Sequence, residues 1–268
     1  MNIIRYQDSR GQVGFAAEQK DGTALKIRSE IYHPIEVSED KAQVRKILAP
    51  IIPTMIWCIG LNYRRHAEES GLKIPEYPVL FAKSPSAIQN PGDPIQIPTY
   101  LKSNEVDYEC ELAVVIGKAC KNVNRKHALD YVLGYTCAND ISARDWQIKW
   151  GGSQWSRGKT FDTFMPSGPR LVTTDEIPDP NCLRIQTILN QETVQDSNTR
   201  DMIFDVPTLI EFLSGSTTLL PGTVILTGTP QGVGIARKPP LWLKAGDQIS
   251  VVIEKIGTLA NPVEDEPA

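Results

Sequence analysis

Short apolar runs punctuated by glycine and proline dominate this chain, and few stretches show the 3.6-residue repeat of an amphipathic helix. Strands are predicted at residues 3–6 and 13–17, joined by a turn at 8–11, and then at 56–60, 79–83 and 106–117. Further strands are predicted at 132–139, 183–190, 193–196, 219–230 and 248–254, with a hairpin turn at residues 190–192. Helical patterns cover residues 41–48, 63–71, 124–130 and 206–214, the last with Leu209, Ile210, Phe212 and Leu213 inward. Asn124 is a candidate N-cap. The pattern is that of an α+β protein, mostly β with few helices. Residues 1–52 read as a small β-rich unit, 53–260 as the main domain after the prolines at 50 and 53, and the acidic 261–268 as a disordered tail.

One stretch departs from the apolar pattern. Along residues 106–117 a strand places Asp107, Glu109 and Glu111 on one face and Tyr108, Cys110 and Leu112 on the other. Three carboxylates on one face repel unless a cation lies between them, and Mg²⁺, Mn²⁺ and Ca²⁺ prefer such oxygens. A solvated edge strand would show the same alternation. Asp140 then stands at the end of the 132–139 strand, where side chains are presented, and Ser142 can cap a helical turn towards Gln147.

On the 63–71 helix, His66 and Glu69 are three apart and share a face, the spacing of a carboxylate-oriented general base. An exposed helix with scattered charges is the alternative. Residues 146–157 hold three tryptophans beside Gly151 and Gly152, a composition that suits a lid over a pocket or a helix packed by its tryptophans. In residues 227–234 a glycine-rich loop follows a strand, and its N–H groups with the Thr229 hydroxyl suit a carboxylate. The spacing is not that of a phosphate-binding loop. Lys83 reads as a substrate contact or, more commonly, as a surface lysine.

Five segments together resemble the fumarylacetoacetate hydrolase family: Gly60-Leu61-Asn62-Tyr63 with His66 and Glu69; Asp107-Tyr108-Glu109-Cys110-Glu111-Leu112; Asn139-Asp140 with Arg144, Asp145 and Gln147; Gly158-Lys159-Thr160-Phe161-Asp162 with Pro166-Ser167-Gly168-Pro169; and residues 227–234. They occur in the family's order over roughly residues 57–255. The run from Arg144 to Phe164 is most similar to the branch of fumarylacetoacetate hydrolase domain-containing protein 2. The resemblance implies a rolled or sandwiched mixed β core and a homodimer. It also implies Glu109, Glu111 and Asp140 as ligands of Mg²⁺ or Mn²⁺ (Ca²⁺ in crystals), with Asp107 orienting them. His66 and Glu69 become the base pair, and Lys159 stabilises a developing enolate. Arg144, Gln147, Thr229 and Gly228 hold the substrate's oxygens.

The implied substrate is a small 2-oxo or β-dicarbonyl acid. C–C hydrolysis or decarboxylation of the acylpyruvate or oxaloacetate kind ranks first. Keto–enol tautomerisation of oxaloacetate stands close behind, and a non-catalytic metal-binding protein of the same family is third.

Composition removes other classes. A net charge of −4 leaves no electrostatic footprint for nucleic acid, and no apolar run approaches a membrane span. The first residues show no leader pattern, so the cytoplasm is expected, or the mitochondrion if a presequence lies outside this sequence. Five cysteines without a C-x-x-C pair read as buried thiols, and Cys137 near the site has no base nearby to activate it.

Overall fold

A computed structural model describes residues 1–152 and 154–267. A mixed twelve-stranded sheet forms its main layer. Ten strands run in the order Val37–Lys41, Ala24–Ile27, Val13–Glu18, Asn2–Gln7, Met165–Thr173, Val132–Asn139, Cys110–Ile116, Thr223–Leu226, Met55–Gly60 and Val79–Lys83, while Lys46–Leu48 pairs with Asn2–Gln7 and Ile88–Gln89 with Met165–Thr173. A five-stranded sheet, running Glu192–Asn198, Arg184–Leu189, Gln248–Ile253, Gly257–Asp265 and Ile95–Ile97, lies against it. The result is a mostly β, α+β molecule.

The strand Cys110–Ile116 is the centre, with all seven residues buried. Leu112, Val114 and Ile116 enter one apolar cluster, and Ala113 and Val115 enter the other. Two-residue alternation therefore feeds two cores from one strand, which only a central strand covered on both faces can do. The first cluster is closed by the helix Val206–Ser214, capped by the Asp205 side chain, which accepts the Thr208 N–H at 3.0 Å.

Several expectations change. Residues 41–48 form no helix: Val37–Lys41 and Lys46–Leu48 are strands, the latter paired with Arg5–Gln7 at the positions Arg5↔Leu48, Tyr6↔Ile47 and Gln7↔Lys46. So short a helix is marginal by itself, and an open sheet edge outcompetes it. The first strand also pairs with Met165–Thr173, so residues 1–52 extend the main sheet. Residues 261–265, expected within a disordered tail, end the strand Gly257–Asp265, where Val263 is buried. Phe212 points outward at 38% exposure. Four cysteines are buried, but Cys182 is exposed.

The carboxylate strand is broken. Val106–Asp107 pairs separately with Ser142–Ala143, and the main strand begins only at Cys110. Asp107 accepts the N–H groups of Tyr108, Gly234 and Ile235, while Glu109 donates its N–H to Asn139 Oδ1 at 3.0 Å. These local side-chain bonds replace the ladder for two residues. Asp107 is thereby held by backbone N–H groups and Arg144, outside the set formed by Glu109, Glu111 and Asp140.

Candidate active site

Strand register assembles the carboxylates. Cys110 lies opposite Asn139, and Asp140 continues past the strand end with its N–H donated to the Glu109 carbonyl at 2.9 Å. The acid that is thirty residues distant in sequence thus falls beside Glu109. Ligand oxygens of Glu109, Glu111 and Asp140 lie within 4.8 Å of one another, all three residues being buried.

Three cations enter the same cluster. Lys159, on the short helix Ser156–Lys159, donates to Glu109 Oε2 at 2.6 Å and to Asp140 Oδ2 at 2.8 Å. Lys83, fully buried, donates to Asp140 Oδ1 at 2.5 Å and to the Ile141 carbonyl at 3.1 Å. Arg144 donates to Asp107 through Nε at 2.9 Å and to Gln147 Oε1 through Nη1 at 2.9 Å. Its Nη2 lies 2.6 Å from Glu109 Oε1 as a charge contact, not an aligned hydrogen bond.

Sequence reading offers Lys83 as a substrate contact or a surface lysine; the structure makes it a buried ion-pair partner of Asp140. Its signal was present: Phe81 and Lys83 share a strand face, and Phe81 is buried. Asn62 was overlooked in its role. It is fully buried, donates to the carbonyls of Thr227 and Phe204, and so ties the glycine-rich loop to the start of the His66 helix.

Charge is unequally distributed. Burial alone would raise the Glu109 carboxyl, but Lys159 and Arg144 outweigh it and bring it down to about 2. Glu111 is pushed well above the carboxylate range by burial, then by Asp140 and Glu109; its recorded donor is the Gly228 N–H at 2.6 Å. Burial works against the Lys159 ammonium, but Asp140 and Glu109 more than offset it, and its pKa is raised. Lys159 therefore stays charged at neutral pH. Burial and its acidic neighbours favour the protonated form of Glu111, so the remaining acids Asp107, Glu109 and Asp140 balance the three buried cations Lys83, Arg144 and Lys159 when no metal is bound.

A divalent ion fits the three converging carboxylates, displacing the Glu111 proton as it binds. The donors are all hard carboxylate oxygens, the set that Mg²⁺ and Mn²⁺ take in preference to softer metals. Its arrival, with release of the Glu111 proton, would take the cluster from neutral to +1, which suits an anionic ligand.

The cluster opens into a cavity of about 690 Å³. Glu109, Glu111, Arg144, Gln147, Lys159 and Thr229 lie on its wall with His66 and Glu69, and Leu72, Pro75, Val79, Ile148 and Trp155 supply apolar surface. His66 Nδ1 stands 3.4 Å from Glu69 Oε2, and both Glu69 oxygens accept the Gly232 N–H at 3.0 Å. Gly228, expected among the substrate-binding residues, donates its N–H to Glu111 Oε2 at 2.6 Å and so supports a carboxylate of the cluster.

Trp155 seats on Gly60, where an added Cβ would lie 2.2 Å from the indole, and packs edge-on against Phe81 at 5.4 Å. Phe81 in turn lies 5.0 Å from the Lys159 ammonium. Of the expected lid, residues 146–157, Ser153 lies outside the described residues.

Residues 55–264 match the family model described as fumarylacetoacetate (FAA) hydrolase C-terminal. The chain belongs to the fumarylacetoacetate hydrolase family. It is 52% identical over 253 residues to a Xenopus laevis protein named "Oxaloacetate tautomerase fahd2, mitochondrial", covering 94% of this chain and 76% of that one. It is 48% identical to the human "Oxaloacetate tautomerase FAHD2A, mitochondrial" over 217 residues, 81% of this chain and 68% of that one. Among solved structures, a fumarylacetoacetate hydrolase from Exiguobacterium antarcticum superposes with a TM-score of 0.89 at 35% identity, covering 99% of this chain and 100% of that one. A 5-carboxymethyl-2-hydroxymuconate delta-isomerase from Mycobacterium smegmatis superposes with a TM-score of 0.87 at 38% identity, with the same coverage. The family's rolled β architecture is thus the architecture of this chain, as the five motifs implied.

Proposed function

We propose that the protein is a divalent-metal-dependent tautomerase of a small 2-oxo acid, with oxaloacetate as the first substrate to test. The observation that carries this reading is the 52% identity, over 94% of the chain, to a protein named oxaloacetate tautomerase. The site supports it, because an anion-accepting cluster and a base pair share one cavity. Bound at Glu109, Glu111 and Asp140, a divalent cation would supply Lewis-acid polarisation of the substrate's carbonyl.

The chain's own residues do the rest. Gln147 gives its Oε1 to Arg144, which leaves its amide N–H groups to face a substrate carboxylate. Lys159 places a permanent positive charge at the inner end of the cavity, where negative charge develops on the carbonyl oxygen. His66, held by Glu69, accepts the C3 proton as the C–H pair becomes the C2–C3 double bond, and the carbonyl oxygen takes up a proton to complete the enol. Glu69 is fixed in turn by the Gly232 N–H.

A second reading, C–C hydrolysis of an acylpyruvate, is favoured by the same His66–Glu69 pair, since a base in an open cavity also suits activation of water; decarboxylation of oxaloacetate draws only on the carboxylate cluster and Lys159. The two readings separate on the dyad. Hydrolysis needs a nucleophilic water, tautomerisation needs only a proton carrier, and decarboxylation needs neither. Measuring all three reactions with Mg²⁺ on wild type, His66→Ala and Glu69→Gln tests the assignment. Oxaloacetate tautomerisation should be the fastest wild-type reaction and should fall about 10²–10⁴-fold in His66→Ala. A wild-type protein that hydrolyses acylpyruvates faster than it tautomerises oxaloacetate would reverse the ranking.

A homodimer and a mitochondrial setting, the latter after the relatives' names, belong to the same proposal. Light scattering and localisation of a tagged full-length protein test them.

A further inference from the structure

Beneath the cavity wall, Gln195 is 1% exposed and all of its amide contacts are made inside the protein. Its Oε1 accepts the backbone N–H of Cys110 at 3.0 Å and the Thr187 hydroxyl at 2.7 Å. Its Nε2 donates to the Pro230 carbonyl at 2.9 Å and to Thr229 Oγ1 at 3.0 Å. A backbone N–H can only donate and a backbone carbonyl can only accept, so these two contacts fix which end of the amide is oxygen. The direction of the fourth bond follows: Gln195 donates and Thr229 accepts.

A hydroxyl has one proton. With Gln195 donating to its oxygen, Thr229 cannot point that proton back at the amide. Thr229 is 4% exposed and lines the cavity, and no acceptor for its proton is recorded among the described residues. The loop that carries Thr229 is pressed onto the Gln195 strand. Gly232, at φ +99°, brings its Cα so near that an added Cβ would lie 2.3 Å from the Val194 carbonyl.

We propose that Gln195 is a positioning residue that sets the polarity of Thr229, forcing its hydroxyl to present a proton to an anionic oxygen of the ligand. This deepens the function proposed above and rests on it only in taking the ligand to be an oxo-acid anion. The Cys110 N–H that orients Gln195 opens the same strand that carries Glu111. The metal strand and the polarity of the opposite wall are thus set by one hydrogen-bonded chain.

The test uses Mn²⁺-loaded full-length protein and oxalate as the probe anion, with binding measured by titration calorimetry. This readout does not depend on turnover, so it survives failure of the tautomerase reading, which oxaloacetate turnover by the wild type checks separately. A hydrogen bond to a charged group is worth about 1.5–3 kcal/mol, so Thr229→Val should weaken oxalate roughly 10- to 150-fold. Thr229→Ser should restore most of the loss. Gln195→Met should weaken oxalate at least fivefold in wild type and by less than twofold in the Thr229→Val background, because the hydroxyl it acts through is then gone. Equal weakening in both backgrounds, or none in either, would overturn the proposal. Removal of Gln195 also strips buried partners from Cys110, Thr187 and Pro230, and the variant can fail to fold for that reason. Neutron diffraction from deuterated wild type needs no variant: a deuteron on Thr229 Oγ1 directed into the cavity agrees with the proposal, and one directed at Gln195 refutes it.

Discussion

Replacing Lys159 by Met removes the ammonium that is shared between Glu109 and Asp140 while keeping the length and flexibility of the side chain. Two effects of different origin follow. In metal-free protein the cluster changes from charge balance to one excess negative charge. Loss of one partner from a buried ion pair costs about 3–5 kcal/mol. The Glu109 carboxyl gives a second measure of the same interaction. It stands at about 2 in the folded protein against an ordinary 4.5, which corresponds to roughly 3 kcal/mol. A folded pKa below the unfolded one means that this stabilisation is present above about pH 4.5 and is lost as pH falls towards 2. Most of it disappears in Lys159→Met, since Lys159 is the largest charge that lowers Glu109.

For a chain of this size about 2–4 °C of melting temperature accompanies each kcal/mol. The EDTA-treated variant should therefore melt roughly 6–20 °C lower than EDTA-treated wild type at pH 7, and Mn²⁺ should recover much of the difference by replacing the missing charge. Mn²⁺ should bind no more weakly than in wild type. Turnover is a separate matter, because a divalent cation bound by the carboxylates does not replace a donor aimed at the developing enolate. The kcat should fall on the order of 10²–10³. Differential scanning fluorimetry with and without Mn²⁺, Mn²⁺ titration, and steady-state kinetics on oxaloacetate together read all three quantities. Unchanged melting in EDTA would refute the charge accounting. A kcat within threefold of wild type would show that Lys159 only holds the carboxylates.

Glu109→Ala should abolish Mn²⁺ binding and activity while circular dichroism stays that of the wild type; a crystal soaked in Mn²⁺ with no ion within ~2.5 Å of Glu109, Glu111 and Asp140 would refute the site. Gly60→Ala places a methyl 2.2 Å from the Trp155 indole, so it should expel that ring from its seat, shift the tryptophan emission and cost about 1–3 kcal/mol. Unchanged emission and stability would show that Trp155 is not seated there in solution. Amide exchange over residues 146–157 should slow when oxalate and Mg²⁺ are added together, and equal protection with and without them would argue against a lid.

Much of the molecule is written in short-range pattern. Two-residue alternation in residues 110–116, the Asn124 cap and the apolar helix at 206–214 specify local structure, and the chain realises all three. The five motifs were likewise legible, because each is a contiguous run whose residue types have few other uses together. What the sequence alone could not determine is every property that depends on which distant backbone lies alongside. Residues 41–48 had a helical pattern, but the strand Asn2–Gln7 offered an edge and took Lys46–Leu48. Asp107 alternated with Glu109 and Glu111, yet it accepts the N–H groups of Gly234 and Ile235 and stays outside the Glu109–Glu111–Asp140 set.

Sequence left Lys83 between a substrate contact and a surface lysine, and only the fold brings Asp140 2.5 Å from its ammonium. Gln195 carries no motif, and its direction of donation is fixed by Cys110 on one strand and Pro230 on a loop. A side chain's charge state and hydrogen-bond polarity are set by neighbours within a few ångströms, and for buried groups those neighbours come from other strands. Residue types and periodicities thus settle which groups are available, while tertiary packing alone decides which of them meet and in which direction each proton points.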